Sequence, residues 1–589
     1  MQGMRPRSLK SNDFHVVPGE IRKILNINYS WQGIMGSIEE YAEGKGFAVL
    51  EVTKSVDESS TEKTGVPETV AAAYVEKDGI VYLLKENGSM ERIGSKEYWD
   101  KIERYKPVDK IAKINTDIRH TKDLVVCGLC DAHKNTTALL NVVVTNRCDL
   151  RCWYCFFYEE KAGFVYEPDI EKLVEGVKVA EKFNGYVPPI QITGGEPAMR
   201  NDLDKIIKAM VELGSPHVQL NTNSVSIGIE YFENPEKAAE KVSRWRDAGL
   251  KTIYTSFDGI SPDANSNPKN HYEMPFALQA YKEGGIKSIV LVPTVSQINL
   301  KETPDIVRFA VHNLDRGIKG VNFQPISLVG LTKKGDREKL RVVQSDIVDE
   351  LKKAFNFGME AWYPVPTVAS LADVIGKEPH IHFYNNEKCG IATYAYIDKE
   401  KNELIPITEF VEVDKLMKDI WELDHSLLKK VIFGAKLIPT ALKYESFRKA
   451  FSQKVLDYII QDELPNGHKI SDMLEGIIEK GDYSHLRTFH HNFIFFGMMH
   501  FQDDYNYDVN RVQRCSIHYS AGSKVIPFCT YNVFPSIHRD RFLKQHKLEG
   551  DIEEQLRNDS LRRKERVVSF RKRKDEIVES PIYKDVYNL

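Results

Sequence analysis

Between residues 139 and 326, short apolar runs alternate with segments of helical periodicity, and this alternation constrains the chain more than any other feature. Strands are predicted at 139–145, 189–193, 218–223, 251–257, 288–295 and 320–326. The intervening segments carry one-sided apolar stripes. Ile170, Leu173, Val174, Val177 and Ala180 form the first, Leu203, Ile206, Ile207 and Met210 the second, and Ala238, Val242 and Trp245 a third. A strand, a crossover helix and another strand, repeated, make a parallel sheet with helices outside. Six such units predict an α/β fold, a partial (β/α)6 TIM-like barrel, whose chemistry belongs in the loops after the strands.

At 589 residues the chain exceeds one compact core, so flanking regions are expected. Residues 1–125 form a first region, with a helical stretch at 37–44, a hairpin across 74–84 turning at Asp78-Gly79, and an exposed loop at 57–64. The core occupies 126–345. Residues 346–535 carry helical stretches at 345–356, 411–422 and 453–461, then the aromatic run at 490–507. A helical tail, 536–589, contains LRRKERVVSFRKRK at 561–574, which reads either as a solvated face or as a membrane-surface attachment.

Composition excludes several classes. Lys and Arg number 81 against 85 Asp and Glu, so no basic excess points to nucleic acid. No apolar run approaches the ~18 residues of a membrane span, and the N-terminus lacks the apolar core of a signal peptide, so a cytoplasmic location is expected. In a reducing compartment, clustered cysteines hold metal more readily than they form disulfides.

Three of the chain's eight cysteines, Cys148, Cys152 and Cys155, fall in CDLRCWYC at the end of the first predicted strand. Thiolates are the usual ligands of iron–sulfur clusters, and three of them leave one iron of a 4Fe–4S cluster without a protein ligand. A structural zinc site, by contrast, takes four. The second strand ends in ITGGEP, where Gly194 and Gly195 permit close backbone approach to a ligand and Glu196, followed by Pro197, suits an ammonium group. Asn223 in LNTNS and Ser256 and Asp258 in SFDG close the next two strands, where the alternative role is a cap or turn former.

Five cysteines remain. Cys127 and Cys130 form CGLC ahead of the first strand; Cys389, Cys515 and Cys529 lie beyond the barrel. Four of them would complete an auxiliary 4Fe–4S site or chelate a mononuclear iron or zinc, whereas a single distant cysteine also serves as a small buried apolar residue. The stretch 514–529 reads as two strands joined through Ala521-Gly522-Ser523, which would bring Cys515 and Cys529 together. His133, His382 and His518 are weaker ligand candidates.

The CxxxCxxC spacing followed by GGEP resembles the radical S-adenosylmethionine (SAM) superfamily. That resemblance implies a 4Fe–4S cluster on Cys148, Cys152 and Cys155, SAM on its open iron, reductive cleavage to a 5'-deoxyadenosyl radical, and Tyr154 near the adenine. It also implies SAM contacts from Gly194, Gly195, Glu196 and Pro197, with Asn223, Ser256 and Asp258 toward the ribose or methionyl end. Together with CGLC at 127–130, KCGIATY at 388–394 and RCSIHYSAGSKVIPFC at 514–529, the chain resembles the tetraether lipid synthase branch over 125–535. The branch implies an auxiliary iron–sulfur cluster or mononuclear iron and a low-potential donor such as a ferredoxin or flavodoxin. Its activity would be carbon–carbon coupling of phytanyl chains, with possible peripheral contact at the membrane. Phe493, Phe495, Phe496, Met498 and Met499 would then line an apolar tunnel or else form plain core. Some members carry a further cysteine-rich N-terminal iron site, whereas the first 126 residues here hold no cysteine. Radical SAM modification or methylation of a soluble pterin or peptide is the alternative.

Overall fold

The computed structural model describes residues 31–57, 67–107, 129–157, 162–266, 269–332, 334–356, 358–367, 370, 383–401, 403–426, 447–475, 489 and 492–588. They divide into two compact units. The smaller takes the described residues up to Lys96 together with Asp504–Asn510, so it ends earlier than the 125 expected from sequence. Strands Ala48–Asp57, Glu68–Lys77, Ile80–Lys85 and Met90–Ser95 form one antiparallel sheet, and the expected turn falls at Asp78 and Gly79. Helix Trp31–Gly44 lays Ile38, Tyr41 and Ala42 against Ala71, Ala73 and Val75. The Asp504–Asn510 segment is held by Asp508, which accepts from Thr53 Oγ1 at 2.6 Å and Tyr74 Oη at 2.7 Å.

The larger unit contains the predicted barrel. Strands β1 (Leu139–Thr145), β2 (Ile190–Gly194), β3 (Val218–Thr222), β4 (Thr252–Ser256), β5 (Ile289–Val292) and β6 (Ile318–Pro325) lie side by side, all parallel. Helices Ile170–Asn184, Leu203–Glu212 and Pro235–Asp247 bury the stripes read from sequence, with Leu173, Val177 and Ala180 in the first, although Ile170 and Val174 are only partly buried. Asp169 caps the first of these helices by accepting from Lys172 N at 2.9 Å. Each fully buried Leu, Ile or Val contributes about 1.5–3 kcal/mol.

Strand alternation then decides what the barrel interior looks like. Leu140, Val142, Ile192, Leu220 and Ile253 belong to the apolar core, while the alternate positions Asn141, Gln191, Gln219, Asn221 and Tyr254 line an internal chamber. Apolar faces pack against helices and polar faces remain inside.

Beyond residue 345 the structure departs from the helical expectation. Residues 346–535 do not stand apart: β7 (Phe493–Met499) pairs in parallel with β6, strand Gly390–Asp398 runs antiparallel to β7, and the expected hairpin Ile517–Ala521 with Lys524–Pro527 adds in parallel to β1. A short apolar run of Phe, Ile and Met buried on both sides has no period that separates strand from helix, so the sequence alone does not mark β7 as a strand. The helices expected at 345–356 and 411–422 appear as Gln344–Phe355 and Val413–His425, while that at 453–461 lies earlier, at Phe447–Leu456. Much of the 57–64 loop lies outside the described residues. The basic tail forms α1 (Asp551–Arg571), α2 (Lys574–Glu579) and α3 (Pro581–Val586), which pack on the barrel. No described helix is long and apolar enough to cross a membrane.

Candidate active site

The end of β1 begins the site. Asn146 is fixed by giving Nδ2 to Phe164 O and accepting from Tyr166 N, both at 2.9 Å, and the chain then turns into the cysteine loop. Cys148, Cys152 and Cys155 all face one chamber of about 390 Å³ inside the larger unit. Backbone amides point at two of the sulfurs: Leu150 N lies 3.4 Å from Cys148 Sγ and Phe157 N lies 3.3 Å from Cys155 Sγ. Burial pushes the thiols of Cys148 and Cys152 up, and that of Cys155 to about 12. Such sulfurs become thiolates only when a cation replaces the proton. Three sulfurs on one loop facing a cavity, two of them met by backbone amides, fit an iron–sulfur cluster.

Gly194 and Gly195 serve the protein's own packing. A Cβ on Gly194, whose φ is +149°, would lie 2.1 Å from Thr145 O, and one on Gly195 would lie 2.2 Å from Arg147 O. The two loops are joined by Gly195 N to Thr145 O at 2.9 Å and Glu196 N to Arg147 O at 2.7 Å. The glycines thus press the GGEP turn against the segment leading into Cys148, while both also line the chamber. Glu196 is 1% exposed and accepts from Ala198 N at 2.9 Å, Thr222 Oγ1 at 2.7 Å and Asn223 N at 2.6 Å. Three protein donors leave about one lone-pair site on this carboxylate. Burial and the nearby charge of Asp149 push its pKa to about 8. Pro197 opens the short turn Pro197–Met199 and is buried.

Asn223 ties these loops together. Its Nδ2 reaches Asp149 Oδ1 at 2.7 Å, its Oδ1 accepts from Val225 N at 2.9 Å, and it lines the chamber. Ser226 Oγ holds the other Asp149 oxygen at 2.7 Å. Ser256 also faces the chamber, its carbonyl accepting from Asn270 Nδ2 at 2.6 Å. Asp258, expected toward the ribose or methionyl end, differs. It is 3% exposed, is not on the chamber wall, and binds Tyr154 Oη, Lys269 Nζ at 3.1 Å, Asn265 Nδ2 at 3.2 Å and Thr294 N at 3.1 Å. It is a hub that presents Tyr154 and Lys269, both of which do line the chamber. Lys269 Nζ stands 4.9 Å over the Tyr154 ring. Burial and Asp258 hold the Tyr154 hydroxyl well above its usual range.

Lys269 and Asp149 carry no sequence signal that marks them as site residues. Asp149 sits inside the cysteine motif, yet nothing in its spacing distinguishes it from a solvent-facing residue. Lys269 lies on an irregular loop, where polarity is the default; its only signal is the polar run KNHYE just ahead of a helix.

A second set of thiols faces the same chamber. Cys389 precedes strand Gly390–Asp398, Cys515 precedes Ile517–Ala521, and Cys529 lies in the short helix Phe528–Val533. The hairpin Ile517–Ala521 with Lys524–Pro527 places the last two at one end, with His518 opposite Pro527. Burial raises Cys515, with further contributions from Cys529 and Cys389, and raises Cys529 to about 11. Gln502 N lies 3.4 Å from Cys529 Sγ. Cys389, Cys515 and Cys529 thus form a second group of thiols on the wall of the chamber that Cys148, Cys152 and Cys155 face. Cys130 is buried and does not line the chamber; Cys127 and His382 lie outside the described residues. His133 and His518 pair with each other at 3.3 Å, and His133 also reaches Cys515 O at 2.8 Å. Burial holds His133 down to about 4 and His518 well below its usual value.

The aromatic run is mostly core. Phe493, Phe496 and Met498 are fully buried, and of the five residues expected to line a tunnel Met499 faces the chamber. The apolar walls come instead from Phe156, Phe157, Phe383, Phe501 and Phe528. An amide ladder also runs along the inner faces of the strands: Gln219 Nε2 to Gln191 Oε1 at 2.5 Å, Gln191 Nε2 to Asn141 Oδ1 at 2.7 Å, and Asn141 Nδ2 to His518 O at 3.2 Å.

A parallel partial barrel with a three-cysteine loop after its first strand and a glycine-rich turn after its second defines an iron–sulfur enzyme of the radical type. The Radical SAM superfamily profile matches residues 142–310. The chain is 33% identical over 508 residues, 82% of its length, to 7,8-dihydro-6-hydroxymethylpterin dimethyltransferase of Methanocaldococcus jannaschii, of which it covers 96%. The chain belongs to the radical SAM superfamily, and its cofactors are a 4Fe–4S cluster and SAM. It is also 28% identical over 247 residues to GTP 3',8-cyclase of Aquifex aeolicus, covering 40% of this chain and 70% of that one. Among solved structures, the FeFe-hydrogenase maturase HydG of Carboxydothermus hydrogenoformans matches at 14% identity and a TM-score of 0.28, over 44% of this chain and 55% of that one.

Proposed function

We propose that this enzyme activates a carbon–hydrogen bond of a substrate held between two metal centres, one on Cys148, Cys152 and Cys155 and an auxiliary iron–sulfur cluster or mononuclear iron on Cys389, Cys515 and Cys529. One observation carries this reading: both thiol sets face the same chamber. The first centre, with SAM bound, supplies reductive cleavage of a sulfonium and abstraction of a hydrogen atom. The residues of the chain do the positioning. Gly194, Gly195, Asn223, Ser256, Tyr154 and Lys269 form the wall nearest the cysteine loop, and Glu196 keeps the turn closed while retaining capacity for one more donor. Phe156 and Phe157, next to Cys155, keep water from the reacting carbon.

The substrate reading favoured first is alkylation of a pterin-class heterocycle. A flat ring suits the phenylalanine walls, and its polar edge suits the amide ladder of Gln219, Gln191 and Asn141. The similarity to a pterin dimethyltransferase agrees with this. The second reading is coupling of phytanyl chains, favoured by the same walls together with Met499. Electrons would come from a low-potential protein such as a ferredoxin or flavodoxin. The test is anaerobic reconstitution with iron and sulfide, reduction, and mass spectrometry after incubation with SAM and either 7,8-dihydro-6-hydroxymethylpterin or a diether lipid. A mass change in the pterin supports the first reading, linked chains support the second, and no 5'-deoxyadenosine with either sinks both.

A further inference from the structure

The C-terminal helices grip the site from outside the barrel, at two places. The first is Arg147, which immediately precedes Cys148 and is 2% exposed. Its Nε reaches Glu167 Oε2 and its Nη1 reaches Asp559 Oδ2 of α1, both at 2.9 Å, while its carbonyl carries the Glu196 amide. The second is the loop 269–273. Arg571, the last residue of α1, donates Nε to Glu273 Oε1 at 2.8 Å and Nη2 to Lys269 O, and Glu273 is fully buried. His271 Nε2 meets Tyr583 Oη of α3 at 2.7 Å, its ring stacks on Tyr587 at 4.7 Å, and its carbonyl accepts from Tyr587 Oη at 2.9 Å.

The inner side of the same loop faces the chamber end of the strands. Lys269 Nζ holds Asp258 and covers Tyr154, and Asn270 Nδ2 bridges the carbonyls of Asn223 at 2.8 Å and Ser256 at 2.6 Å. Consecutive residues thus link the outer helices to the groups that wall the chamber beside the cysteine loop. The basic run takes part in this: Arg563 pairs with Asp559 at 2.9 Å, Arg566 with Glu233 and Arg571 with Glu273, and Phe570 packs edge-on against Phe232 at 5.3 Å. Part of the run is solvated as one expectation has it, Arg562, Lys572, Arg573 and Lys574 being exposed, while Arg566 and Arg571 meet acidic partners from distant positions in the sequence.

We infer that the helices 551–588 are a strap that sets the geometry of the SAM-facing wall, with Arg571 as a positioning residue that acts through the 269–273 loop on Lys269, Asn270 and Tyr154. This rests on the reading that those side chains face SAM. A buried, charge-assisted pair with a second bond to a carbonyl holds the loop more firmly than contacts within the loop do. Losing it lets the loop sample other positions, so affinity for SAM falls more than the rate of the chemical step does.

The test uses the full-length reconstituted enzyme, titrated calorimetrically with SAM under anaerobic conditions without a reductant so that no turnover occurs. Arg571→Ala is expected to raise the SAM dissociation constant by about tenfold, and Tyr583→Phe, which removes one hydroxyl, by roughly threefold. Arg571→Lys should recover part of the loss, the exposed Lys572→Ala should change nothing, and KM for SAM should rise with kcat within about twofold of the unmodified enzyme. In the cluster-free chain, amides of 269–273 should exchange hydrogen faster in Arg571→Ala. Should Arg571→Ala fail to fold, Tyr583→Phe decides alone. Unmodified enzyme that does not bind SAM contradicts the site reading. Unmodified enzyme that binds SAM, beside Arg571→Ala or Tyr583→Phe that binds it equally well, overturns the strap.

Discussion

Replacing Gly195 with alanine tests whether the GGEP turn is needed to place the cysteine loop. The added Cβ would lie 2.2 Å from Arg147 O, 2.7 Å from Arg147 C and 2.7 Å from Asn146 O. Ordinary contact begins at about 3.5 Å, so one of the two backbones must retreat by about 1 Å. Neither can yield as a flexible side chain does. Arg147 is buried in ion pairs with Glu167 and Asp559, and the turn is held by Glu196 N on Arg147 O at 2.7 Å. Overpacking of this kind costs about 3 kcal/mol. Because Cys148 follows Arg147 directly, a shift of ~1 Å in that segment is also expected to lower the rate by roughly 100-fold. The assay is denaturant unfolding of the metal-free chain together with iron content and 5'-deoxyadenosine yield after reconstitution. Gly195→Ala should unfold at lower denaturant and turn over SAM about two orders of magnitude more slowly. A variant with unmodified stability, full iron and full yield would refute the packing argument.

Cys152→Ala should abolish SAM cleavage, whereas Cys515→Ala should retain 5'-deoxyadenosine formation but lose complete turnover; full product from Cys515→Ala, measured by mass spectrometry, would rule out an essential second centre. Gln191→Leu breaks two of the three bonds of the amide ladder, those at 2.7 and 2.5 Å. It should raise KM for a pterin-class substrate about tenfold, and an unaltered KM counts against the amide ladder as a recognition surface. Asp503 is fully buried against Arg341, with Nη1 to Oδ2 at 2.7 Å. Burial alone would raise its pKa, but Arg341 more than offsets this and holds it at about 2. The pair's stabilisation is therefore complete above the unfolded value of ~3.9 and is lost as pH falls through about 2. Asp503→Asn should destabilise the protein by ~3–5 kcal/mol at neutral pH by stranding the guanidinium, and the difference from the unmodified protein should narrow in acid unfolding between about pH 4 and 2. A difference that stays constant over that range would contradict the assignment.

Local signals made the barrel and the first centre readable. The stripe Leu203, Ile206, Ile207 and Met210 has one periodicity whatever surrounds it, and three cysteines in one loop need no tertiary knowledge to be grouped. Features that depend on distant partners were hidden. Cys389 joins Cys515 and Cys529 only because Gly390–Asp398 lies beside β7 and the late hairpin adds to β1, a pairing spanning more than a hundred residues. Asp258 has the same appearance in sequence whatever surrounds it, and its partners Tyr154 and Lys269 become visible only in the fold. The glycines of GGEP were recognised as permitting close approach, but what approaches first is the carbonyl of Arg147. The basic tail could not disclose its acidic partners Glu233 and Glu273, some three hundred residues away.

The central claim, an iron centre on Cys148, Cys152 and Cys155 with a coordination position left for SAM, is most directly tested by electron paramagnetic resonance of the reduced, reconstituted enzyme before and after SAM is added, using SAM labelled with 15N at its amino group. A shifted cluster signal with hyperfine coupling to the label is expected, and neither in Cys152→Ala. A cluster signal that SAM leaves unchanged and uncoupled in the unmodified enzyme would contradict it.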